Sequence, residues 1–340
     1  MRHVAPVLVV VAIAAAAGCR PPPPPPPDPQ LLAEPPPALQ GESAMGNPEL
    51  DRGIAFVKNN AFKDAVPHLE AALEARPNSP EANFYLALAY DLGLNDKKRA
   101  EGLYKRALEL DSTLVDAAQN LSAIYLEEPV RVDEAIAAID KALKLVPGDT
   151  KMLTNLAYAY SLKGDVDRAS KAYEELLPKE DTPQLRFAYG TLLFDAKRPE
   201  AAVPHLVTAA KGYNDDVATL ATIARMLGPG KAYADCVRLF DRALELKKDV
   251  AEFYVRRGLC KHELRDERAA KKDYEAAIRA DAKYQPAYYY LGVSLLELGK
   301  RDEGRARLKQ AMDLGKDTPF GQRASDRFRG RRVEEGGLTP

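Results

Sequence analysis

The sequence predicts an all-α chain, a solenoid of about eight stacked helix-turn-helix repeats behind an N-terminal export signal and a proline-rich linker. Three observations predict it. Apolar residues between residues 46 and 318 recur with helical spacing, the pattern as a whole returns every 33 to 35 residues, and small residues return with it at fixed slots. An ordinary amphipathic helix would supply the first of these and not the last. The 340 residues carry 49 Lys and Arg against 50 Asp and Glu, so no global basic field argues for nucleic acid. Three Cys and four His are too few and too scattered for a metal cluster or a disulfide framework.

Taken in order, the chain opens Met1-Arg2-His3 and runs apolar from Val4 to Ala17, broken only by Pro6. Those 14 residues fall short of the about 20 that span a bilayer, so residues 1–18 read as a signal peptide. The run ends Ala16-Ala17-Gly18-Cys19, which resembles the lipobox of bacterial lipoproteins. That resemblance implies cleavage before Cys19, a diacylglycerol on its sulfur and a further acyl chain, such as palmitate, on its new amino group. Two or more chains anchor a protein permanently. Arg20, rather than Asp, follows the Cys, which by the same resemblance implies the outer membrane of the bacterial envelope, facing the periplasm. Ordinary cleavage after an Ala-x-Ala, leaving Cys19 a free thiol, is the alternative. Residues 19–45 hold seven consecutive prolines, Pro21 to Pro27, and then Pro35-Pro36-Pro37. Such runs settle into polyproline II at about 3.1 Å per residue, so the seven alone make a stalk of roughly 20 Å. A docking site for a proline-binding domain is the competing reading.

The repeats fall at 46–79, 80–114, 115–149, 150–182, 183–216, 217–250, 251–284 and 285–318. In the first helix of each, a small residue occupies one slot: Gly53, Ala87, Ser122, Ala157, Gly190, Ala224, Gly258 and Gly292. The second helix repeats this with Ala65, Ala100, Ala135, Ala169, Ala202, Cys236, Ala270 and Gly304, each followed four residues later by a large apolar side chain. Packed helices lie only about 8–10 Å apart, so the closest crossing requires small residues. An aromatic slot in the first helix runs Phe56, Tyr90, Tyr125, Tyr160 and then drifts to Leu193, Leu227, Lys261 and Leu295, the lysine having no sequence rationale. Gly228-Pro229-Gly230 should end the first helix of repeat six and loosen the stack there. Residues 319–340 should give a short capping helix and a disordered tail.

With this period and these slots, the chain resembles the tetratricopeptide repeat (TPR) family over residues 46–318. The resemblance implies a right-handed TPR superhelix whose first helices line a groove for peptides, loops or domains of other proteins. By their offset in the first helix, the groove candidates are Phe84, Leu88, Asn120, Asn155, Tyr158, Phe187, Phe194, Leu259 and Tyr289. Asn120 and Asn155 occupy equivalent places, where some superhelical members use Asn to grip the backbone of an extended peptide; a solvated helix Asn is the plainer alternative. The clamp for acidic C-terminal tails is absent, because repeat one offers Leu50 and Ile54 where that clamp has Lys and Asn.

No catalytic constellation is legible. His68, His205 and His262 lie in different repeats without ligand spacing, and Gly230-Lys231 lacks the earlier Gly and the following hydroxyl of a phosphate loop. Neither metal nor cofactor is expected. Cys236 and Cys260 occupy packing positions in adjacent repeats, either as small apolar side chains or, in an exported protein, as a disulfide. The whole resembles TPR lipoproteins that serve Gram-negative envelope machines, such as pilotins and accessory lipoproteins of motility or secretion complexes. This implies a non-enzymatic scaffold for other envelope proteins, anchored through lipid. An adaptor presenting envelope proteases or peptidoglycan hydrolases to their substrates is the alternative.

Overall fold

A computed structural model describes residues 47–331. The signal segment, Cys19, the proline-rich linker and the tail from residue 332 lie outside the described residues. The described residues form seventeen α-helices and no strand, and none of these helices is long and apolar enough to cross a membrane. They fall into two compact units that divide between Asn214 and Asp215.

The N-terminal unit holds five helix pairs: α1 (Pro48–Lys58) with α2 (Phe62–Ala75), α3 (Pro80–Leu88) with α4 (Lys97–Leu110), α5 (Val115–Leu126) with α6 (Val132–Leu145), α7 (Thr150–Lys163) with α8 (Val166–Leu176), and α9 (Pro183–Asp195) with α10 (Pro199–Ala210). The C-terminal unit holds α11 (Val217–Leu227) with α12 (Tyr233–Leu246), α13 (Ala251–Glu263) with α14 (Glu267–Ala280), α15 (Gln285–Glu297) with α16 (Arg301–Leu314), and a single last helix, α17 (Pro319–Phe328).

Local chemistry sets these boundaries. Short polar side chains at Asn47, Ser79, Asp96, Asp149, Asp165, Thr182, Asp216, Asp266 and Thr318 accept the first free backbone N–H groups of the helices they precede. Within every pair but the third, the chain reverses through one left-handed residue at the same point of the repeat: Asn60, Asn95, Gly164, Lys197, Lys231, Arg265 and Gly299. Glycine takes this conformation freely at Gly164 and Gly299, while the lysines and the arginine hold it at a cost of about 1 kcal/mol each. The third pair lacks such a residue and turns instead through a 3-10 segment, Pro129–Arg131. There Arg131 donates to both oxygens of Glu101 at 2.8 and 2.9 Å and covers the Tyr125 ring at 4.3 Å. These bonds hold the Glu101 carboxyl down at about 2.

Packing follows the small-residue slots. The second-helix residues from Ala65 through Ala270 are sealed from solvent, as are the large residues Leu69, Tyr104, Ile139, Leu206 and Phe240. The first-helix glycines sit directly beneath large side chains sixteen residues later. A Cβ on Gly53 would lie 2.5 Å from Leu69, on Gly190 2.7 Å from Leu206, on Gly258 2.6 Å from Tyr274, and on Gly292 2.8 Å from Leu308. The turn at Gly228-Pro229-Gly230 ends α11, with Gly228 and Gly230 buried and Ala232 N–H donating to Leu227 O at 3.0 Å.

Lys261, unexplained in its aromatic slot, gains a reason in the C-terminal unit. Its ammonium lies 2.9 Å from the buried carboxylate of Asp273, which Arg257 also grips at 2.9 and 2.5 Å. Arg257 extends the network to Asp241 at 2.6 Å. A buried carboxylate requires such partners.

The crossing makes a paired prediction. Gly258→Ala forces the Tyr274 ring to move and should destabilise the protein by about 1–3 kcal/mol. Gly102→Ala, on the exposed face of α4 with nothing within 4 Å, should stabilise it by about 0.5–1 kcal/mol. Denaturant melts check both, and equal effects of the same sign would contradict the packing.

Candidate interaction surface

The structure separates the sequence-derived groove residues into two groups. Five of them are buried and do not form an open surface, which corrects the expectation for Phe84, Leu88, Asn120, Asn155 and Tyr289. Phe84 packs its ring 5.3 Å from Tyr85 and 6.1 Å from Tyr104, and Leu88 belongs to the same apolar cluster. Tyr289 is covered by Phe320 of α17 at 5.7 Å, so the chain's own last helix fills that place.

The two asparagines are occupied between repeats. Asn120 Nδ2 donates to the Tyr104 hydroxyl at 3.2 Å, and that hydroxyl donates to Asp91 Oδ2 at 3.3 Å. Lys97 closes the group, 2.8 Å from both Asp91 and Glu127. Burial and the Asp91 carboxylate hold the Tyr104 hydroxyl well above the ordinary tyrosine range, so it remains a donor. Asn155 Nδ2 donates to Ser122 Oγ at 3.0 Å, which in turn donates to the Gln119 carbonyl at 2.7 Å. Each amide therefore ties its repeat to the preceding one. Periodicity located these positions correctly; their hydrogen-bond partners lie one repeat away and leave no local signal.

Tyr158, Phe187, Phe194 and Leu259 remain partly exposed on first helices. Tyr158 rests against the apolar cluster of the first repeats, Phe187 stands edge-on to Tyr213 at 5.9 Å, and Leu259 sits in the C-terminal unit beside the cluster around Tyr274. First helices of the N-terminal unit also carry carboxylates at Asp51, Glu81 and Asp116. Burial, with Asp51 nearby, raises the Glu81 carboxyl, and burial, with Asp149 opposing Lys151, raises that of Asp116. Carboxyls next to other carboxyls favour a cationic neighbour. The sequence carries this strip as an excess of acidic residues in repeats one to three, a pattern that reads equally as solvated surface.

Of the three described histidines, His68 bonds to Glu49 at 2.6 Å and His205 lies 3.1 Å from the Arg186 guanidinium. His262, expected to lie without ligands, instead has Glu267 at 2.7 Å and Glu297 at 3.5 Å. The buried cysteines are joined: a disulfide links Cys236 of α12 to Cys260 of α13 with their Cα atoms 6.3 Å apart.

Stacked helix pairs with these crossings define a helical-repeat scaffold, a class that presents first-helix side chains to peptides or other proteins. Comparison with known proteins narrows the class. Tetratricopeptide-repeat models match residues 50–115 and 90–150, 131–188, 251–284 and 286–314, together more than half of the chain. The chain belongs to the tetratricopeptide-repeat family. Among curated relatives it is 29% identical over 171 residues to aspartyl/asparaginyl beta-hydroxylase of Mus musculus, covering 46% of this chain and 23% of that protein. It is 24% identical over 254 residues to protein FlbA of Caulobacter vibrioides, covering 72% and 42%. The chain thus spans less than half the length of these relatives. Among solved structures, yeast Tom70 aligns at 16% identity over 86% of this chain and 65% of that one, with a TM-score of 0.42. YrrB, described as a TPR protein with an unusual peptide-binding site, aligns at 20% identity over 66% and 97%, with a TM-score of 0.36.

The disulfide closes a loop with a sequence separation of 24 residues, for which chain entropy gives a stabilisation of about 3 kcal/mol. Alkylation of unfolded, unreduced protein should leave Cys236 and Cys260 unlabelled, and reduction should expose both and lower the melting temperature. Labelling of both without reductant would contradict the bond.

Proposed function

We propose that this chain is a non-enzymatic scaffold, anchored by acyl chains on Cys19 to the bacterial envelope, probing partner proteins from the periplasmic face of the outer membrane. The observation that carries this reading is Cys19 itself, standing where a 14-residue apolar run stops and seven prolines begin. The Cys236–Cys260 disulfide supports it, since such bonds persist in oxidising compartments outside the cytoplasm. The proline run then serves as a stalk that holds the repeats off the membrane. The partners are components of an envelope machine, a pilus or secretin, motility or secretion complex. The exposed parts of Tyr158, Phe187 and Phe194 supply apolar contact, and the Asp51, Glu81 and Asp116 carboxylates favour a partner segment carrying Lys or Arg.

The test replaces Cys19 by Ala and separately replaces Tyr158 and Phe194 together by Ala. Cys19→Ala should move the protein from the membrane to the soluble fraction with its melting temperature unchanged; unaltered membrane fractionation would refute the anchor. In affinity capture from detergent-solubilised envelopes, wild type should retain a secretin, motility or secretion component, the double variant should lose it, and salt should weaken the retention. Capture of hydrolases or proteases instead would favour the adaptor reading.

A further inference from the structure

We propose that His262, Glu267 and Glu297 form a binding site for a divalent transition-metal ion, Zn2+ being the ion that their chemistry suits. The three residues come from three helices of the C-terminal unit. His262 lies in the last turn of α13, Glu267 opens α14, and Glu297 closes α15. One ligand atom from each lies within 4.8 Å of the other two. His262 Nδ1 is 2.7 Å from Glu267 Oε1 and 3.5 Å from Glu297 Oε2. Around a tetrahedral zinc with bonds of 2.0–2.2 Å, ligand atoms stand about 3.4 Å apart. The His262–Glu297 edge already has that length, the His262–Glu267 edge has to open from 2.7 Å, and the carboxylate edge, within 4.8 Å, has at most to close.

A second observation sets this group apart from an ordinary ion triad. Glu267 Oε2 is sealed from solvent and has no hydrogen-bond partner. The imidazole N–H reaches only the other oxygen of that carboxylate, whereas a buried carboxylate oxygen normally has a donor or a cation beside it. A metal ion chelated by both oxygens of Glu267 would give Oε2 a partner, which the imidazole N–H, on Oε1 alone, does not. The other described histidines lack this arrangement: His68 has one carboxylate, and His205 faces a guanidinium that repels cations.

The surroundings are electronegative. Glu263 adds a further carboxylate near His262, and both His262 and Glu297 stand at helix C-termini, the negative ends of the helix dipoles. The neighbouring Lys261 is held on Asp273 and leaves the site to its carboxylates. One imidazole with two carboxylates disfavours Ca2+ and Mg2+, which take all-oxygen sets, and disfavours Cu(I), which takes sulfur. Three protein ligands leave a fourth position for water. Because the ligands come from consecutive repeats, the bound ion would lock the α13–α14 hairpin to α15.

The test uses the full-length protein, stripped of metal by a chelator and kept unreduced. Titration with Co2+, followed by its visible d–d bands, should saturate at one ion per chain, and Zn2+ should displace it and raise the melting temperature. His262→Gln and Glu267→Gln should each weaken binding by about tenfold or more, while His205→Gln binds like wild type. Circular dichroism melts without metal establish that each variant folds. Absence of a one-to-one Co2+ spectrum up to about 1 mM ion, or wild-type binding by both His262→Gln and Glu267→Gln, would overturn the site.

Discussion

The close approach of the two helices in each pair is the constraint on which the rest depends. Where a first helix carries Gly53, Gly190, Gly258 or Gly292, the side chain sixteen residues later lies where a Cβ would be. The crossing fixes how far apart the helices sit, and thereby which residues of the first helix are drawn inward. Tyr104, Phe240 and Tyr274 can be buried whole only because a small residue opposes each of them. The polar groups that the crossing drags inside, Asn120, Asn155 and Asp273, must then find partners, and they find them across the pair or in the preceding repeat.

This constraint explains what the sequence shows and what it conceals. Small residues at a 34-residue period are a one-dimensional record of the crossing, so the helix pairs and their first residues, such as Pro80, Val115 and Gln285, can be read directly. Exposure within the first helix cannot be read that way. Asn120 and Asn155 occupy positions that an offset rule assigns to the open face, yet the depth of the crossing and the hydroxyls of Tyr104 and Ser122 enclose them. Tyr289 was equally regular, and its covering comes from Phe320, thirty-one residues away and outside the repeat pattern. The ion network leaves one departure in the sequence. Lys261 replaces an aromatic residue, whereas Asp273 stands in a slot that is polar in several repeats, as His68, His205 and Arg307 show, and so gives no signal.

The same reasoning bears on function. A repeat scaffold contributes side chains held at fixed spacing on a rigid frame. In the N-terminal unit the frame is tied by Asn120 and Asn155 and by the Glu101–Arg131 pair, so the residues left to meet a partner are the partly exposed aromatics and the carboxylates of the first helices. The central claim is that partners meet this first-helix face rather than the outer faces of the second helices. Photo-crosslinking in intact cells tests it most directly, with a benzophenone amino acid placed at Tyr158, at Phe194 and at exposed Asp140 on α6. The account predicts crosslinked partners from Tyr158 and Phe194 and none from Asp140; crosslinks from Asp140 alone would contradict it.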